Sequence, residues 1–498
     1  MPKGLPEMRK VRVRYAPSPT GEPHVGNVRT AIFDWLFARH HDGDFIIRIE
    51  DTDRSRFVEG AIDKQFEALK WLGIDWDEGP DVGGDFGPYV QSERLDLYRE
   101  AVDRLLQSGG AYRCYCTSER LDAIRQEQSQ LRQQIGYDGH CLNLTDVDRR
   151  EREHSGDPSV VRFRMPSDGD TIAVDAIRGE VTFENRLVDD FVILKTDGFP
   201  TYHLASVVDD HAMGISHVLR AEEWLSSTPR HLHLYQALGW EPPVLAHLSV
   251  ILAPDKSRLS KRHGATSVLE YREMGFLPDA LVNFLALLGW SLDDKTELLS
   301  RRQLIENFSI ERVNKSGAIF NIEKLNWMNG QYFRAMSAEE LADVLLSYWS
   351  LYPAESIPEN PPRELVVQIV PLIRERLKTL KDAAPLVAFF FTDGVEYDTG
   401  ELTQKGMDED ATTTALRESL AALHVLPVFD AESIEGALRP LADELGLKTG
   451  QLLGTLRVAT TGLKVAPPLF QTIEILGRRR SLAAIAEASE RLENGARA

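Results

Sequence analysis

The sequence predicts an α/β protein, in which a doubly wound parallel sheet at the N-terminal end precedes a long all-helical region. Residues 11–16 alternate apolar and polar side chains and predict a strand, and residues 28–39 place apolar side chains on one face of a helix. Residues 44–49 form a nearly continuous apolar run, as in buried parallel strands. A strand, a helix and a second strand in this order open a doubly wound sheet.

An insertion interrupts this pattern from about residue 112 to residue 200. It holds the three cysteines, a polar helical stretch at residues 119–134, and short strand-like segments at 159–165 and 180–183. Residues 201–253 then resume the alternation of helix and strand. We therefore expect an inserted α+β domain that separates two halves of the first domain.

The chain beyond residue 271 is predicted to be mostly helical. Breaks at residues 353–362 and near Pro427 separate the helical units. Pro371 and Pro440 fall inside two of the helical stretches, which leaves the ends of those helices open. Apolar side chains recur at helical spacing in residues 365–380, 415–423, 434–445 and 482–492.

Length and composition predict a soluble protein of several domains. The chain has 498 residues, of which 43% are hydrophobic and 27% are charged. No apolar run reaches the roughly 20 residues that span a bilayer, and residues 1–10 lack the apolar core of a signal peptide. Three cysteines, an odd number, disfavour a secreted disulfide framework. We expect a cytoplasmic protein with no membrane partner.

The formal net charge of −20 counts against a nucleic-acid partner, because phosphate contacts need lysine and arginine. Net charge describes the whole surface, however, and a basic stripe can coexist with an acidic remainder. Residues 256–262, 374–381 and 478–480 are locally basic. The alternative for each segment is an ordinary solvated helix or loop.

A phosphate site is predicted where the first strand ends. The chain has no GxxxxGK[ST] loop and no convincing GxGxxG, so neither common phosphate cradle is present. Instead, residues 16–27, APSPTGEPHVGN, place a histidine at a Pro/Gly turn before a helix. Asn27 is the predicted N-cap, and the helix N-terminus would offer free N–H groups to phosphate.

Two residues of this turn suit phosphate chemistry. Gly26 lets the backbone approach closely, and His24 can donate a hydrogen bond to a phosphate oxygen as negative charge gathers there. The alternative for His24 alone is a surface or capping histidine.

A second basic segment is predicted to face the same ligand. Residues 258–262, RLSKR, follow a strand and Pro254, so this loop leaves the sheet at the carboxyl end of a strand. Open α/β sheets bind their ligands at that edge. A charged surface loop is the alternative.

These segments resemble two signatures of class I aminoacyl-tRNA synthetases. Residues 23–27, PHVGN, resemble the HIGH signature, and residues 258–262 resemble the KMSKS signature. Residues 14–21, RYAPSPTG, and 48–53, RIEDTD, are similar to the glutamyl/glutaminyl branch. The resemblance covers nearly the whole chain and implies a Rossmann-like catalytic domain, split by an acceptor-binding insertion.

The resemblance implies an activity. L-glutamate would react with ATP to give glutamyl-adenylate, and the glutamyl group would then pass to the 3′-terminal adenosine of tRNA(Glu), with release of AMP and pyrophosphate. Activation would wait for tRNA, and the 2′-hydroxyl would accept the glutamyl group. The partners implied are tRNA(Glu), L-glutamate and ATP, with Mg²⁺ accompanying ATP, and we expect a monomer.

The resemblance also implies residue roles in both signatures. His24, Gly26 and Lys261 would be catalytic, with Lys261 neutralising the developing pyrophosphate. The family usually has lysine at the position of Arg258, and arginine keeps the charge but not the shape or the hydration. The implied ATP-binding residues are Pro17, His24, Gly26, Asn27, Arg258, Ser260 and Lys261.

A glutamate pocket is implied in the same way. Such a pocket needs a cation for the side-chain carboxylate, preferably a bidentate arginine. The family often has asparagine at the position of Ser206, and a surface ion pair is the alternative for each arginine. The implied contacts are Arg14, Ser18, Glu50, Tyr202, Ser206 and Arg220.

Asp209, Asp210 and His211 could suggest a metal site. They match a segment of the family's α/β fold and have no third ligand in the usual spacing. We interpret them as structural residues near a helix terminus.

The cysteines predict a structural zinc site. Cys114 and Cys116 lie two apart, and 24 residues separate Cys116 from Cys141. This spacing suits a tetrahedral zinc knuckle. Three reduced thiols without a metal are the alternative.

The fourth ligand is left open by the sequence. Some bacterial members of the resembled family complete a zinc site here with histidine, tyrosine or cysteine. Tyr137 matches one such pattern, whereas Asn143 stands where some members have histidine. His140 adjoins Cys141, which makes it a less suitable ligand.

The helical C-terminal end favours the glutamyl branch, because glutaminyl enzymes of the resembled family have β-barrels there. Arg376 aligns with a family position that reads the last anticodon base, where arginine accompanies strict use of tRNA(Glu) and glutamine accompanies relaxed use. Arg457 aligns with another anticodon contact. Ordinary helix-surface arginines are the alternative.

Four domains, in five chain segments, are predicted along the chain. The predicted domains are a Rossmann catalytic domain in two halves (1–110 and 201–253), the inserted acceptor-stem-binding domain (111–200), a stem-contact domain with the KMSKS-like loop (254–340) and a helical anticodon-binding region of two bundles (341–498).

Two rival functions stay open: an enzyme of the group that loads glutamine or also charges tRNA(Gln), and a non-catalytic paralogue that binds tRNA or a nucleotide.

Overall fold

A computed structural model describes residues 10–495 of the chain, and the side chains of Asp146 and Lys261 lie outside the described part. The chain divides into two compact units. Unit 1 comprises the chain to residue 271 together with residues 278–322, and unit 2 comprises residues 272–277 and the chain from residue 323.

Unit 1 is built of mixed helices and strands. In chain order, the elements up to the end of unit 1 are β1 (Arg12–Tyr15), α1 (Val25–His40), β2 (Asp44–Ile47), α2 (Ala61–Trp71), α3 (Leu95–Gln107), β3 (Ala111–Cys114), α4 (Ser118–Gln130), α5 (Asp146–Ser155), β4 (Val160–Phe163), β5 (Asp170–Asp175), β6 (Gly179–Glu184), β7 (Val192–Leu194), α6 (Tyr202–Ala212), β8 (His217–Ala221), α7 (Thr228–Leu238), β9 (Val244–Leu248), β10 (Ile251–Leu252), α8 (Val268–Glu273), α9 (Pro278–Ala286), α10 (Arg301–Asn307) and β11 (Ala318–Ile319).

Parallel strand pairs form the centre of unit 1. β1 pairs with β2, and β8 pairs with β9, each in parallel register. β1 begins beside β8, because the amide of Ser216 donates to the carbonyl of Arg12 at 2.9 Å. The buried residues of β1, β2 and β8 are mainly branched or aromatic, as parallel strands covered on both faces require. These pairs confirm the predicted α/β fold class.

The sheet that contains β8 and β9 continues into the predicted insertion. β5 pairs with β9 in parallel and with β6 in antiparallel register, which gives the strand order β6-β5-β9-β8. A separate antiparallel sheet has the order β3-β4-β7. Strands from residues 111–200 therefore contribute to two sheets. The four predicted domain boundaries stay predictions.

One apolar core next to the β3-β4-β7 sheet explains the amphipathic pattern of α3. Tyr98, Ala101, Val102 and Leu105 follow i, i+3, i+4, i+7 spacing, and all four are buried. They pack with apolar residues of α6 and α7 in one cluster. One amphipathic helix face thus supports α6, which contributes to the candidate site.

Unit 2 is helical in its described part, as the sequence predicts. Leu416, Leu438, Leu456 and Ile473 come from four different helices and are fully buried in one core. Pro371 lies inside the helix Arg363–Ile373 and Pro440 inside the helix Ala431–Glu444, and the chain kinks at Gly477. The helices of this unit are α11 (Ile322–Ala335), α12 (Ala338–Leu351), α13 (Arg363–Ile373), α14 (Ala383–Val387), α15 (Glu409–His424), α16 (Ala431–Glu444), α17 (Thr449–Thr461) and α18 (Leu469–Gly495).

Across the residues that the structure describes, no helix has both the length and the apolarity needed to cross a membrane.

Candidate functional site

A cavity of about 520 Å³ opens in unit 1 at the ends of β1 and β8. Such a volume can hold a small-molecule ligand. Residues from four separate chain segments form its wall, so the cavity depends on the folded sheet. Among the residues implicated by the sequence, those that line it are Arg14, Pro17, Ser18, Asn27, Glu50, Tyr202 and Arg220.

The other residues implicated in this site whose side chains the structure describes do not line this cavity. Ser206 is 1% exposed, because α6 turns its side chain into the protein interior. The side chain of Lys261 lies outside the described residues. His24, Gly26, Arg258 and Ser260 are absent from the wall. Their roles in ligand binding stay predictions.

The two signature segments are nevertheless joined. The amide of Val25 donates to the carbonyl of Thr266 at 2.8 Å, and the amide of Val268 donates to the carbonyl of Pro23 at 2.9 Å. His24 and Ser267 form an antiparallel bridge between these bonds. The chain just after the KMSKS-like loop therefore pairs with the HIGH-like turn.

The start of α1 differs from the prediction in one respect. The N-cap is His24 rather than Asn27, because the His24 side chain reaches the amide of Gly26 at 3.0 Å through Nδ1. The amides of Asn27 and Val28 donate to the His24 carbonyl. The predicted free N–H groups are therefore wrong for the first turn of α1: Val25 and Gly26 have partners as well.

This cap defines what His24 can do. A neutral imidazole that accepts at Nδ1 carries its proton on Nε2, which is the nitrogen able to donate to a phosphate oxygen. A side chain at position 26 would place its Cβ about 3.1 Å from His24 Nδ1. Glycine at this position thus keeps the histidine ring in its capping orientation.

The KMSKS-like loop is tied to the rim of the cavity. Arg258 pairs with Glu223 at 2.5 Å, and Glu223 lines the cavity. Within the loop, the amide of Ser260 donates to Nδ1 of His263 at 3.1 Å. Arg258 is well exposed, so its ion pair is one that solvent screens.

A buried ion network supports the cavity floor. Asp210 accepts from Arg14 at 2.9 and 3.3 Å and from Arg48 at 2.7 Å. Its neighbour Asp209 accepts from Arg94 at 2.6 Å. Burial alone would raise the pKa of Asp210, but Arg14 and Arg48 hold it below its usual value. Asp209 and Asp210 are therefore structural ion-pair residues in this arrangement.

Glu50 lines the cavity beside this network. Its carboxylate accepts from Arg48 at 3.0 Å. Burial raises the pKa of Glu50, and the nearby arginines only partly offset that effect. A ligand ammonium group placed against Glu50 would favour its charged form.

Arg220 is the cavity cation whose charge is not offset. It is 6% exposed, and within the described part of the chain no carboxylate lies at ion-pairing distance from it. Arg14, in contrast, is already paired with Asp210. The acceptors around the Arg220 guanidinium are His247 Nε2 at 2.9 Å, Tyr202 Oη at 3.1 Å, His231 Nδ1 at 3.2 Å, the Trp224 carbonyl at 3.3 Å and Thr228 Oγ1 at 3.4 Å.

These acceptors leave Arg220 positive. Burial lowers the pKa of both His231 and His247, so both rings are neutral at pH 7. A buried guanidinium held only by neutral groups is costly unless a charged ligand completes the site. The arrangement therefore suits a ligand with a carboxylate.

Sequence reasoning missed several residues of the wall. The ring of Trp224 packs 4.3 Å from that of Tyr202, and Lys195 donates to the carbonyl of Thr52 at 2.9 Å. Trp224 follows directly after a strand and a pair of glutamates, which is a usable signal. Lys195 lies in the predicted insertion, where a lone lysine gives no signal.

The predicted zinc ligands converge at a second place in unit 1. The three cysteine sulfurs all lie within 4.8 Å of one another. The Tyr137 hydroxyl lies 3.5 Å from Cys114 Sγ and 3.6 Å from Cys116 Sγ. Cys116 Sγ lies 3.5 Å from Cys141 Sγ. Three thiols and a phenol grouped so closely fit the donor set of a tetrahedral metal site.

The predicted anticodon residues lie in unit 2. Arg376 is exposed in the short 3₁₀ turn that follows α13, and its guanidinium donates to the carbonyl of Ala466 at 2.7 Å. Ala466 lies in the connection between α17 and α18. Arg457 is half-buried in α17.

The chain matches two known families in order. Residues 10–327 match the family described as tRNA synthetases class I (E and Q), catalytic domain. Residues 339–489 match the family described as anticodon binding domain.

Curated relatives match along the same length. A glutamate–tRNA ligase of Dehalococcoides mccartyi is 57% identical over 97% of this chain and 98% of that protein. A glutamate–tRNA ligase of Moorella thermoacetica is 46% identical, again over 97% of this chain and 98% of the relative.

Solved structures agree with these relatives. A glutamate tRNA ligase from Elizabethkingia meningosepticum in complex with its amino acid superposes with a TM-score of 0.89 at 36% identity, over 97% of this chain and all of that chain. A glutamate–tRNA synthetase from Elizabethkingia anophelis superposes with a TM-score of 0.84 at the same identity and the same coverage. These matches confirm the resemblance inferred from the signature segments and the fold class.

Proposed function

The chain belongs to the class I tRNA synthetases of the glutamate and glutamine branch, and on this premise we propose that it loads L-glutamate onto tRNA(Glu). The observation that favours glutamate is Arg220, a buried cation in the cavity wall with only neutral partners. A glutamate side-chain carboxylate would complete that charge, whereas a glutamine carboxamide would not.

The proposed reaction has two steps. The α-carboxylate of glutamate, already ionised at neutral pH, attacks the α-phosphorus of ATP, and the bond to the bridging oxygen breaks to release pyrophosphate. The 2′-hydroxyl of the terminal adenosine then attacks the glutamyl carbonyl and releases AMP, as the resemblance implies. Positioning and charge neutralisation supply most of the catalysis in such phosphoryl chemistry.

The signature residues would handle the phosphates. His24 would donate through Nε2, the nitrogen that its cap leaves protonated, to a phosphate oxygen. Lys261 would neutralise the departing pyrophosphate, and Arg258 would exchange its exposed ion pair with Glu223 for phosphate. Mg²⁺ bound with ATP would supply further charge neutralisation. Pro17, Asn27, Gly26 and Ser260 would shape the ATP site.

The amino acid would lie along the cavity wall. Arg220 would bind the side-chain carboxylate, with the Tyr202 hydroxyl beside it. Glu50 and Ser18 would face the ammonium group. Arg14 would contribute positive potential in addition to its pairing with Asp210.

Charging assays test this function. We expect the purified protein to load glutamate, and not glutamine, onto a tRNA(Glu) transcript in the presence of ATP and Mg²⁺. Glutamine charging would favour the rival member of the branch. Absence of charging with either amino acid would favour the non-catalytic paralogue.

Arg376→Gln is expected to relax tRNA specificity. The wild-type guanidinium is held by the Ala466 carbonyl at 2.7 Å, which would present it to an anticodon base in a fixed orientation. Loss of a bidentate base contact costs about 1–3 kcal/mol of discrimination, so the preference for tRNA(Glu) over tRNA(Gln) should fall by about tenfold. The measurement is the ratio of kcat/KM for the two transcripts.

Arg417→Gln is the control, because Arg417 is an exposed arginine of α15 in the same unit. An equal preference in the Arg376 variant, the control and the wild type would rule out the role of Arg376.

We also propose that the Cys114, Cys116, Cys141 and Tyr137 cluster holds one structural zinc ion. Elemental analysis of the purified protein should find about one zinc per chain. Cys141→Ser should abolish that content, since thiolates are the dominant zinc ligands. Tyr137→Phe should weaken binding without changing the fold. If the purified protein contained no metal and were fully stable, the three cysteines would be ordinary thiols and the zinc proposal would be wrong.

A monomeric, cytoplasmic protein is proposed as its working form. The described cysteines are free thiols rather than disulfides, which fits a reducing compartment. Light scattering coupled to size exclusion would test the monomer, for which the expected mass is 56.0 kDa.

A further inference from the structure

A buried chain of polar side chains lies behind Arg220. His247 Nε2 accepts from Arg220 Nε at 2.9 Å. On its other side, His247 Nδ1 lies 2.6 Å from Asp175 Oδ2. His247 is fully buried and Asp175 is 3% exposed, so water does not compete for these bonds.

Asp175 is fixed by the backbone. Its carboxylate accepts from the amides of Ile177 at 3.0 Å, Arg178 at 2.8 Å and His247 at 3.1 Å. Burial would raise the pKa of Asp175, but these hydrogen bonds and His247 hold it below its usual value. The charged carboxylate is acceptor-only, so the His247 ring must place its proton on Nδ1.

This tautomer has a consequence for Arg220. A neutral ring with its proton on Nδ1 presents the lone pair of Nε2 to the guanidinium, which can only donate. His231 acts in the same way from a second side, since its Nδ1 lies 3.2 Å from Arg220 Nη1. The opposite nitrogen of His231 lies 3.2 Å from His203.

The chemical logic is that neutral acceptors orient a cation without cancelling its charge. A carboxylate in the place of His247 would bind Arg220 more strongly, but it would compete with a ligand carboxylate. Arg14 shows that alternative in the same cavity, because Asp210 holds it through two hydrogen bonds. The two cavity arginines therefore differ in charge balance: Asp210 neutralises Arg14, whereas the acceptors of Arg220 are neutral.

We propose that Asp175 and His247 are positioning residues that hold Arg220 as an oriented, uncompensated cation for the side-chain carboxylate of the amino-acid substrate. The inference rests on the proposed function. It assigns the selection of a carboxylate over a carboxamide to Arg220 together with the Asp175–His247 pair behind the cavity wall. We call this pair the relay.

The tautomer makes the relay testable. In Asp175→Asn, the amide can donate to His247 Nδ1, so the ring proton moves to Nε2 and an N–H group then faces the Arg220 Nε–H. We expect the KM for glutamate to rise about tenfold or more, as is common when a residue that orients a ligand-binding side chain is changed. The KM for ATP and kcat should stay within about twofold, which general misfolding would not allow.

A second pair of variants tests the proposal even if Asp175→Asn does not fold. His247→Gln keeps an acceptor that can rotate toward Arg220, whereas His247→Leu removes it. We expect glutamine at 247 to keep the KM for glutamate within about threefold of wild type and leucine to raise it about tenfold or more. Combining Asp175→Asn with His247→Gln should restore most of the lost affinity, because the glutamine amide can turn.

The readouts are tRNA charging at varied glutamate and at varied ATP, with circular dichroism for folding. An unchanged KM for glutamate in both Asp175→Asn and His247→Leu would overturn the relay. Parallel rises in the KM for ATP and for glutamate would also overturn it, since they indicate a purely structural role. Failure of the wild-type enzyme to charge glutamate at all would overturn the proposed function, and the relay with it.

Discussion

Arg220→Leu is expected to lower kcat/KM for glutamate by about a hundredfold or more. Arg220 is a buried cation of the cavity wall, and the described acceptors around it are neutral. Removing one partner of a buried charged pair costs about 2–5 kcal/mol, and each 1.4 kcal/mol is about a factor of ten. Because the proposed contact is to the side-chain carboxylate, charging kinetics at varied glutamate are the measurement.

Arg230→Leu is the matched control for this variant. Arg230 lies on α7, close in sequence to the site, and its side chain is partly exposed 3.7 Å from Asp189. We expect the control to keep kcat/KM within about threefold, since Arg230 does not line the cavity and its ion pair is long. Equal losses in the two variants, or no loss in Arg220→Leu, would remove Arg220 from the glutamate site.

Asp210→Ala is expected to destabilise unit 1 by about 3–5 kcal/mol, because it leaves the buried charges of Arg14 and Arg48 without a shared partner. The folded-state pKa of Asp210 is depressed, so its stabilising effect is present above about pH 4 and is lost as the pH falls. Urea unfolding, followed by hydrogen exchange in peptides of unit 1, would measure the change at pH 7.

The control for this variant is Asp96→Ala. Asp96 forms an ion pair with Arg99 at 2.8 Å, but it is 97% exposed. Its loss should change stability by less than about 1 kcal/mol. If Asp210→Ala were no more destabilising than Asp96→Ala, the buried network would not support the cavity.

Local sequence signals predicted the beginning of the fold well. The apolar run at 44–49 and the alternation at 11–16 place β2 and β1 where the structure has them, because strand patterns depend on neighbouring residues. The helix between them begins three residues earlier than predicted. A histidine that caps through its ring lies outside the usual Ser, Thr, Asp and Asn preference, so composition could not identify it.

Long-range contacts explain most of what the sequence did not predict. Asp210 lies 196 positions from Arg14, and Asp175 lies 72 positions from His247. Nothing in the local pattern joins such pairs, since they meet only when distant strands are side by side. The neutral surroundings of Arg220, which distinguish it from Arg14, were therefore not predictable.

The cysteine cluster is an intermediate case. The spacing of Cys114, Cys116 and Cys141 suggested a common site, and the structure brings their sulfurs within 4.8 Å. Tyr137 could be named as a ligand only through the resemblance, because a tyrosine four residues before a cysteine has no general meaning. Its hydroxyl position beside two sulfurs now gives that choice a geometric basis.

The role of Arg220 is tested most directly by the binding of two unreactive adenylate analogues, measured by calorimetry. Glutamol-adenylate keeps the side-chain carboxylate, whereas glutaminol-adenylate has a carboxamide, and both occupy the ATP and amino-acid regions together. We predict that glutamol-adenylate binds at least about tenfold more tightly, since a hydrogen bond to a charged group contributes about 1.5–3 kcal/mol. Equal affinity, or tighter binding of the carboxamide analogue, would contradict a site built around an uncompensated Arg220.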